Sequence, residues 1–315
     1  MSASPQAQPR ANEANARAVV AEVLGRHADV SPFVERLLAD GRREAVQAVI
    51  FYGSKLSEVT RGPGSFNDFY VVVDSYRAYF PRWKDRTVAR LLPPNVYYRN
   101  WESGALPPSA GAERHRCKYC VISEADLRRE TSVRARDTHH LGRFSKRLAL
   151  PYARDAAARE TVIDVALGAT ATLLPMALGL CGPQSAAAPD DALIKAVLSI
   201  SYLGEQRVSE GSKVDALFAA EADYYRRLFA VLADGAASPA APQVLARLLA
   251  RSRRRSVARW PKYMITFGES WLDYVLDKVE RNYGVRIELS PLERRFPLIF
   301  GWPKFFALRR KGVVK

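Results

Sequence analysis

The spacing of apolar and polar residues changes character twice along the chain. Apolar residues first recur at helical spacing between about residues 18 and 40, with a break at Ser31-Pro32. Short apolar runs rich in β-branched residues follow, and strands are predicted over residues 45–52, 67–74, 93–98 and 118–123. From Ser123 onward the spacing is helical again, and helices are predicted over residues 124–148, 155–180, 190–204, 213–234 and 241–251.

This order of elements predicts an α+β protein of two domains. A domain that contains all the strands is expected over residues 18–150, and a mainly helical domain over residues 151–290. Residues 1–17 lack an apolar run and are rich in Ala, Gln and Pro, so a disordered lead-in is expected there and no secretory signal. A basic tail that is also rich in aromatic residues is expected over residues 291–315.

The most apolar stretch of the chain is residues 162–181. It carries Asp164, Gly168 and Pro175, and no stretch reaches about 18 uncharged apolar residues. We therefore interpret it as a buried helix and expect no transmembrane helix.

The charge balance predicts an anionic partner. The 315 residues include 48 Lys and Arg against 33 Asp and Glu, which gives a formal net charge of +15. Such a surplus is typical of proteins that bind nucleic acid, an acidic membrane or phosphate-bearing substrates. It does not choose among these three classes.

The cysteines predict a reducing compartment rather than a disulfide framework. Cys117 and Cys120 have the C-x-x-C spacing, but only Cys181 and four His remain as further ligands of a zinc site. We interpret the pair as buried strand residues. The natural compartment is then the cytosol.

One constellation indicates chemistry with phosphates. Gly53-Ser54 ends a predicted strand, a polar loop follows, and the next strand carries Asp68. This is the layout of the nucleotidyltransferase fold that DNA polymerase beta shares, in which a Gly-Ser turn approaches a triphosphate and carboxylates hold Mg²⁺. The usual second acid is missing, because Phe66 and Tyr70 occupy the positions two residues away. Asp74 lies about 20 Å further along the strand, too far to share one metal ion with Asp68. The alternative interpretation of the constellation is an ordinary turn followed by an acid at the start of a strand.

Five segments resemble one family in register. They are NDFYVVVDS (67–75), NVYYRN (95–100), KYCVIS (118–123), HLGRFSKRL (140–148) and SYLGEQR (201–207). In order, they are similar to motifs of the mitochondrial-type CDP-diacylglycerol synthases, also called the translocator assembly and maintenance protein family, which has bacterial relatives. The resemblance spans roughly residues 46–230. It implies a polymerase-beta-like nucleotidyltransferase domain followed by a winged-helix-like helical domain.

The resemblance implies a reaction and a set of site residues. The family transfers CMP from CTP to phosphatidate with Mg²⁺, releasing pyrophosphate, in the synthesis of phosphatidylglycerol and cardiolipin. The implied catalytic residues are Asp68, which would bind the metal, and Lys118, which would contact a phosphate. The other implied roles are triphosphate binding by Gly53 and Ser54, packing of Tyr119 beside the base, and phosphate binding by Arg143, Lys146 and Arg207. Tyr202 matches the same motif as Glu205 and Arg207 but is interpreted as a core residue. Glu205 is either a second metal ligand or a group that orients Arg207.

Each implied role has an ordinary structural alternative. Lys118 could be a solvated edge lysine, and Glu205 with Arg207 a structural ion pair. Arg143 and Lys146, three residues apart on a predicted helix, could be an ordinary basic face. Asp74 is interpreted as a strand-end cap. The sequence departs from the family motifs at Lys55, Cys120, Arg147 and Glu205.

The last residues of the chain predict contact with an anionic membrane. Residues 294–315 intersperse eight large apolar or aromatic side chains with seven Lys and Arg: Phe296, Leu298, Ile299, Phe300, Trp302, Phe305, Phe306 and Leu308, with Arg294, Arg295, Lys304, Arg309, Arg310, Lys311 and Lys315. A second basic run over residues 251–259 is expected to border the same face. The alternative is a tail packed on the core.

The expected location is therefore the inner face of a bacterial cell membrane, as a peripheral protein. Two other functions stay open. One is a nucleotidyltransferase that acts on RNA, a nucleotide or a protein. The other is a membrane-associated scaffold without catalysis, which the missing second acid favours.

Overall fold

The computed structural model describes residues 7–53, 55–56, 67–91, 93–100, 116–182, 190–205, 210–233, 238–267, 270–296 and 302–310. The described residues form a mixed five-stranded sheet and mostly helices, which confirms the α+β class. The chain divides into two compact units, residues 1–262 and 263–315.

The sheet has the strand order β3-β4-β2-β1-β5. Its strands are β1 (Val46–Tyr52), β2 (Asn67–Val73), β3 (Asn95–Asn100), β4 (Arg116–Ser123) and β5 (Ala149–Ala153). The central pair β2 and β4 is parallel, and every other neighbouring pair is antiparallel. Four of the strands confirm the sequence prediction. The fifth was missed because ALPYA contains Pro151, which is typical of an edge strand and weakens the sequence signal.

The described helices of the first unit are α1 to α12, of which α12 continues past residue 262. They are α1 (Ala7–Leu24), α2 (Ser31–Ala39), α3 (Tyr76–Tyr79), α4 (Trp83–Arg90), α5 (Glu124–Glu130), α6 (Thr138–Phe144), α7 (Ala156–Cys181), α8 (Asp191–Glu205), α9 (Glu210–Ala220), α10 (Ala222–Ala233), α11 (Pro242–Ala258) and α12 (Trp260–Phe267). The second unit adds α13 (Ser270–Tyr283), α14 (Pro291–Arg295) and α15 (Trp302–Arg310).

Two predicted element assignments are corrected. Helix α1 begins at Ala7, so the disordered lead-in over residues 1–17 is wrong from that residue onward. The single helix predicted over residues 124–148 is two short helices. Ser123 caps α5 by accepting a hydrogen bond from the Asp126 amide, and the Asp137 carboxylate caps α6 by accepting one from the His139 amide.

The two faces of the sheet bury different sets of side chains. On one face Phe69 packs against Phe51 and against Phe33 of α2, with ring centroids 5.1 and 5.9 Å away. On the other face Tyr70 packs edge-on against Phe144 of α6, at 5.0 Å. The Tyr70 hydroxyl lies 3.1 Å from His140 Nδ1. Both faces are therefore covered, which explains why the central strands are almost wholly apolar.

Helix α7 is long and apolar enough to cross a membrane by length and composition alone. In the structure, 61% of its most apolar stretch is buried within the protein. Asp164 on this helix accepts hydrogen bonds from Arg17 of α1 and Arg128 of α5. The interpretation of residues 162–181 as a buried helix therefore agrees with its packing.

The first compact unit continues across residue 150, where a domain boundary was predicted. Strand β5, residues 149–153, pairs with β1. Helix α1 packs on α7 and α10, so helices from both halves of the unit share one core. The contacts therefore give no division near residue 150.

Helices α6 and α8 approach closely at Gly142. A Cβ atom there would collide with the Ser201 side chain. We expect Gly142→Ala to lower the free energy of unfolding by about 1–3 kcal/mol, because overpacking forces neighbours apart.

Urea unfolding of Gly142→Ala should be compared with that of Gly25→Ala. A Cβ at Gly25 meets no atom within 4 Å, so that variant should unfold near the wild-type midpoint. Equal midpoints for the two variants would contradict the close packing of α6 on α8.

Candidate functional site

Three strands bring polar side chains together at one end of the sheet. Asp68 near the start of β2 lies opposite Tyr52 at the end of β1 and opposite Lys118 of β4. Cross-strand partners project from the same face, so all three side chains share the face that α6 covers. The sheet therefore joins residues that are 66 positions apart at most.

Asp68 and Lys118 form a largely buried ion pair. Lys118 Nζ lies 2.9 Å from Asp68 Oδ1, and the two side chains are 24% and 19% exposed. Oδ1 is buried and accepts no well-directed hydrogen bond from the described residues, so the contact is mainly ionic. Lys118 is thus an inward-facing lysine rather than a solvated edge residue.

Gly53 brings the backbone against the same carboxylate. Its φ is +93°, a conformation that disfavours residues with a Cβ. An added Cβ would lie 3.0 Å from Asp68 Oδ2. The turn after β1 therefore requires glycine for its backbone angle and for its distance from Asp68.

Arg143 of α6 belongs to the same electrostatic environment. Burial raises the pKa of the Tyr52 hydroxyl, and the charge of Asp68 adds to this, whereas Arg143 and Lys118 oppose it. The Arg143 guanidinium also donates to the His139 carbonyl, at 2.7 Å. Asp68, Lys118, Arg143 and Tyr52 together form the candidate site.

Lys146 lies elsewhere. Helix α6 ends at Phe144, so Arg143 and Lys146 do not share a helix face as predicted. The Lys146 ammonium lies 3.3 Å from Ser201 Oγ and 4.1 Å from the centre of the Tyr202 ring. Tyr202 is 8% exposed, in agreement with its predicted core position. Lys146 joins α6 to α8 and does not complete a two-residue phosphate clamp with Arg143.

Tyr119 points to the opposite face of the sheet, because it neighbours Lys118 in the same strand. Its hydroxyl donates to Asp40 Oδ2 at 2.5 Å, and its ring stacks on Tyr97 with centroids 5.3 Å apart. Tyr119 therefore does not share a face of the sheet with Lys118 and Asp68, and its packing beside a nucleotide base stays a prediction.

The remaining predicted residues have different outcomes. Ser54 and Arg207 lie outside the described residues, and the side chain of Glu205, the last residue of α8, does too. Asp74 accepts hydrogen bonds from Gln47 at 2.8 Å and Arg154 at 2.9 Å, at the far end of β2 from Asp68. The interpretation of Asp74 as a strand-end group agrees with these contacts.

The C-x-x-C pair does not form one site. Cys117 and Cys120 are buried and three residues apart in β4, so their side chains project from opposite faces. Burial raises the pKa of the Cys120 thiol to about 12. Both cysteines are strand core residues, as predicted.

The carboxylate of Asp68 fits a particular kind of metal site. In the described part of the chain, no group of three or more His, Cys, Asp or Glu side chains could hold a metal ion. Mg²⁺, however, is often held by one or two carboxylates together with substrate phosphates and water. Asp68 beside the Gly53 turn suits a Mg²⁺ ion that shares its ligands with a nucleotide.

A buried group of charges that was not predicted from the sequence lies at the N-terminal end of α6. Asp137, which is 1% exposed, accepts hydrogen bonds from Arg255 at 2.7 Å and Arg259 at 2.5 Å. Arg259 also donates to the carbonyl of Pro93, at 2.6 Å. Burial alone would raise the pKa of Asp137, but Arg259 and the neighbouring histidines hold it well below its usual value.

The only signal of this group was the basic run over residues 251–259. That run was expected to face a membrane, but Arg255 and Arg259 turn inward from α11 and its end. They tie α6 to the start of β3. The positions of Asp137 and Pro93, more than a hundred residues earlier, could not be found from local spacing.

The comparisons with known proteins add no family. No protein-family model matches the chain, and a search of the curated proteins gives no match. The family resemblance therefore rests on the five motifs and on the residues that they bring together.

Lys262 of α12 belongs to the same buried group. Its ammonium group is expected to make the free energy of unfolding depend on pH. Burial lowers its pKa to about 7, from 10.5. The unfolded chain then binds this proton more tightly, so its contribution to the free energy of unfolding rises with pH between about 7 and 10.5. Lys262→Met should remove that rise.

The check is urea unfolding of wild type and variant at several pH values between 7 and 10. Lys84→Met, at an exposed lysine of α4, is the matched control and should keep the wild-type slope. If the difference in free energy of unfolding between wild type and Lys262→Met stays constant with pH, the lowered pKa of Lys262 is contradicted.

Proposed function

We propose that this protein is a Mg²⁺-dependent nucleotidyltransferase that moves the cytidylyl group of CTP onto phosphatidate. The products are CDP-diacylglycerol and pyrophosphate. The observation that carries the proposal is the meeting of Asp68, Lys118 and Gly53 at one end of the sheet, with Arg143 in the same environment. A carboxylate, two cations and a glycine turn are the groups that phosphoryl transfer requires.

Each side chain has a defined task in this reaction. A phosphate oxygen of phosphatidate attacks the α-phosphorus of CTP, and the bond to the β-phosphate oxygen breaks. Lys118 and Arg143 stabilise negative charge on the phosphates, and the Gly53 turn lets backbone approach them closely. Asp68 would hold Mg²⁺, which supplies charge neutralisation and orientation of the transferred group.

The lipid acceptor is proposed from the resemblance and from the second unit. Phe296 and Phe306 are 42% and 49% exposed there, and Arg295 lies 5.6 Å from the Phe296 ring centre. Exposed aromatic rings next to cations suit the interface of an anionic bilayer. We therefore infer a peripheral protein of the inner face of a bacterial cell membrane, in phospholipid synthesis.

Two alternatives have support from particular observations. The net charge of +15 also suits RNA, a nucleotide or a protein as the acceptor of the same transfer. Among the described residues, Asp68 is the single carboxylate at the site, and this favours a membrane-associated scaffold without catalysis. Labelled CTP bound without transfer to phosphatidate would favour the first alternative, and absence of Mg²⁺-dependent nucleotide binding the second.

Asp68→Asn is expected to reduce turnover to background, because a neutral amide is a far poorer ligand for Mg²⁺ than a carboxylate. The matched control is Asp74→Asn, just after the same strand, whose carboxylate binds Gln47 and Arg154 instead. Formation of labelled CDP-diacylglycerol measures both. An unchanged kcat for Asp68→Asn would remove this carboxylate from the mechanism.

Deletion of residues 294–315 is expected to weaken binding to phosphatidate-containing vesicles more than binding of CTP. The reason is that the tail supplies aromatic and cationic contacts to lipid, whereas the CTP groups lie in the first unit. Vesicle co-sedimentation and calorimetry with CTP measure the two affinities. Equal retention of wild type and truncated protein on vesicles would contradict a docking role for the tail.

A further inference from the structure

The cation beside Asp68 belongs to the protein itself. Lys118 Nζ lies 2.9 Å from Oδ1, at ion-pairing distance, and neither side chain is more than a quarter exposed. The parallel register of β2 and β4 fixes this neighbour, because Asp68 and Lys118 are direct cross-strand partners. The pair is therefore part of the resting structure of the site.

The second carboxylate oxygen lies near the turn after β1. A Cβ added at Gly53 would lie 3.0 Å from Oδ2. A divalent cation that approached Asp68 would meet the Lys118 ammonium beside Oδ1. Like charges at such short range repel strongly in a partly buried site.

A polyphosphate changes this balance. Its oxygens offer Lys118 a competing anionic partner, and Arg143 adds positive charge to the same environment. Once the ammonium turns toward phosphate, Asp68 loses its counter-ion and becomes available as a metal ligand. Thermodynamic linkage then requires that phosphate and metal each strengthen the binding of the other.

We propose that Lys118 is a positioning residue that keeps Asp68 from binding a divalent cation until a nucleotide triphosphate has engaged the ammonium. Metal and nucleotide then bind as one cooperative event. This inference rests on the proposed nucleotide site but is independent of which acceptor receives the nucleotidyl group.

The first experiment measures Mn²⁺ binding by electron paramagnetic resonance at pH 8, with no nucleotide present. We expect Lys118→Met to bind Mn²⁺ about tenfold more tightly than wild type, because the adjacent positive charge that repels the ion is removed. The control is Lys213→Met, at an exposed lysine of α9, which should bind Mn²⁺ as wild type does. The double variant Lys118→Met with Asp68→Asn should lose the gain.

Unchanged or weaker Mn²⁺ binding by folded Lys118→Met would overturn the proposal. If Lys118→Met does not fold, Lys118→Gln replaces it in the Mn²⁺ measurement with the same expected result, and the wild-type protein provides a second test. In wild type, CTP and Mn²⁺ should each tighten the binding of the other several-fold, after correction for the Mn²⁺–CTP complex in solution, and independent binding would also overturn it. Failure to form CDP-diacylglycerol would instead count against the proposed acceptor.

Discussion

The register of β2 between β1 and β4 decides which side chains meet in this protein. Asp68 is placed opposite Tyr52 on one side and Lys118 on the other, and a shift of one residue would move it to the opposite face. That face is fixed by burial, because Phe69 must pack between Phe51 and Phe33 while Tyr70 packs on Phe144. The apolar core on both faces of the sheet thus holds a charged pair at its end.

The position of α6, which covers the site, depends on a second group of buried charges. Asp137 begins α6, and two arginines from the last part of the first unit bind it. Arg259 also holds the carbonyl of Pro93, just before β3. Helix α6 carries Arg143, so these contacts help to hold the helix that bears that guanidinium. A buried carboxylate with two cations costs much desolvation, which its hydrogen bonds must offset.

The spacing of apolar residues was sufficient to predict most of the strands and the longest helix. The four strands with apolar runs and the long helix α7 were predicted from spacing. Asp68, Lys118 and Gly53 were also named as site residues, and the structure places these three close together. Strand alternation, applied to β4, could also have separated Tyr119 from Lys118 at the sequence level. Strand β5 was missed because Pro151 weakens its local signal, and the break between α5 and α6 because the Asp137 cap interrupts a continuous helical spacing. The pairing of Asp137 with Arg259 joins residues 122 positions apart, which local spacing cannot reveal.

The most direct measurement follows the two ends of CTP separately in the presence of phosphatidate micelles, Mg²⁺ and the purified protein. With label on the α-phosphate, the radioactivity should enter the lipid phase only when phosphatidate is present. With label on the γ-phosphate, it should appear in pyrophosphate at the same rate. Retention of both labels in CTP that is bound by the protein would contradict cytidylyl transfer to this lipid, and γ-label in the lipid would indicate a different reaction.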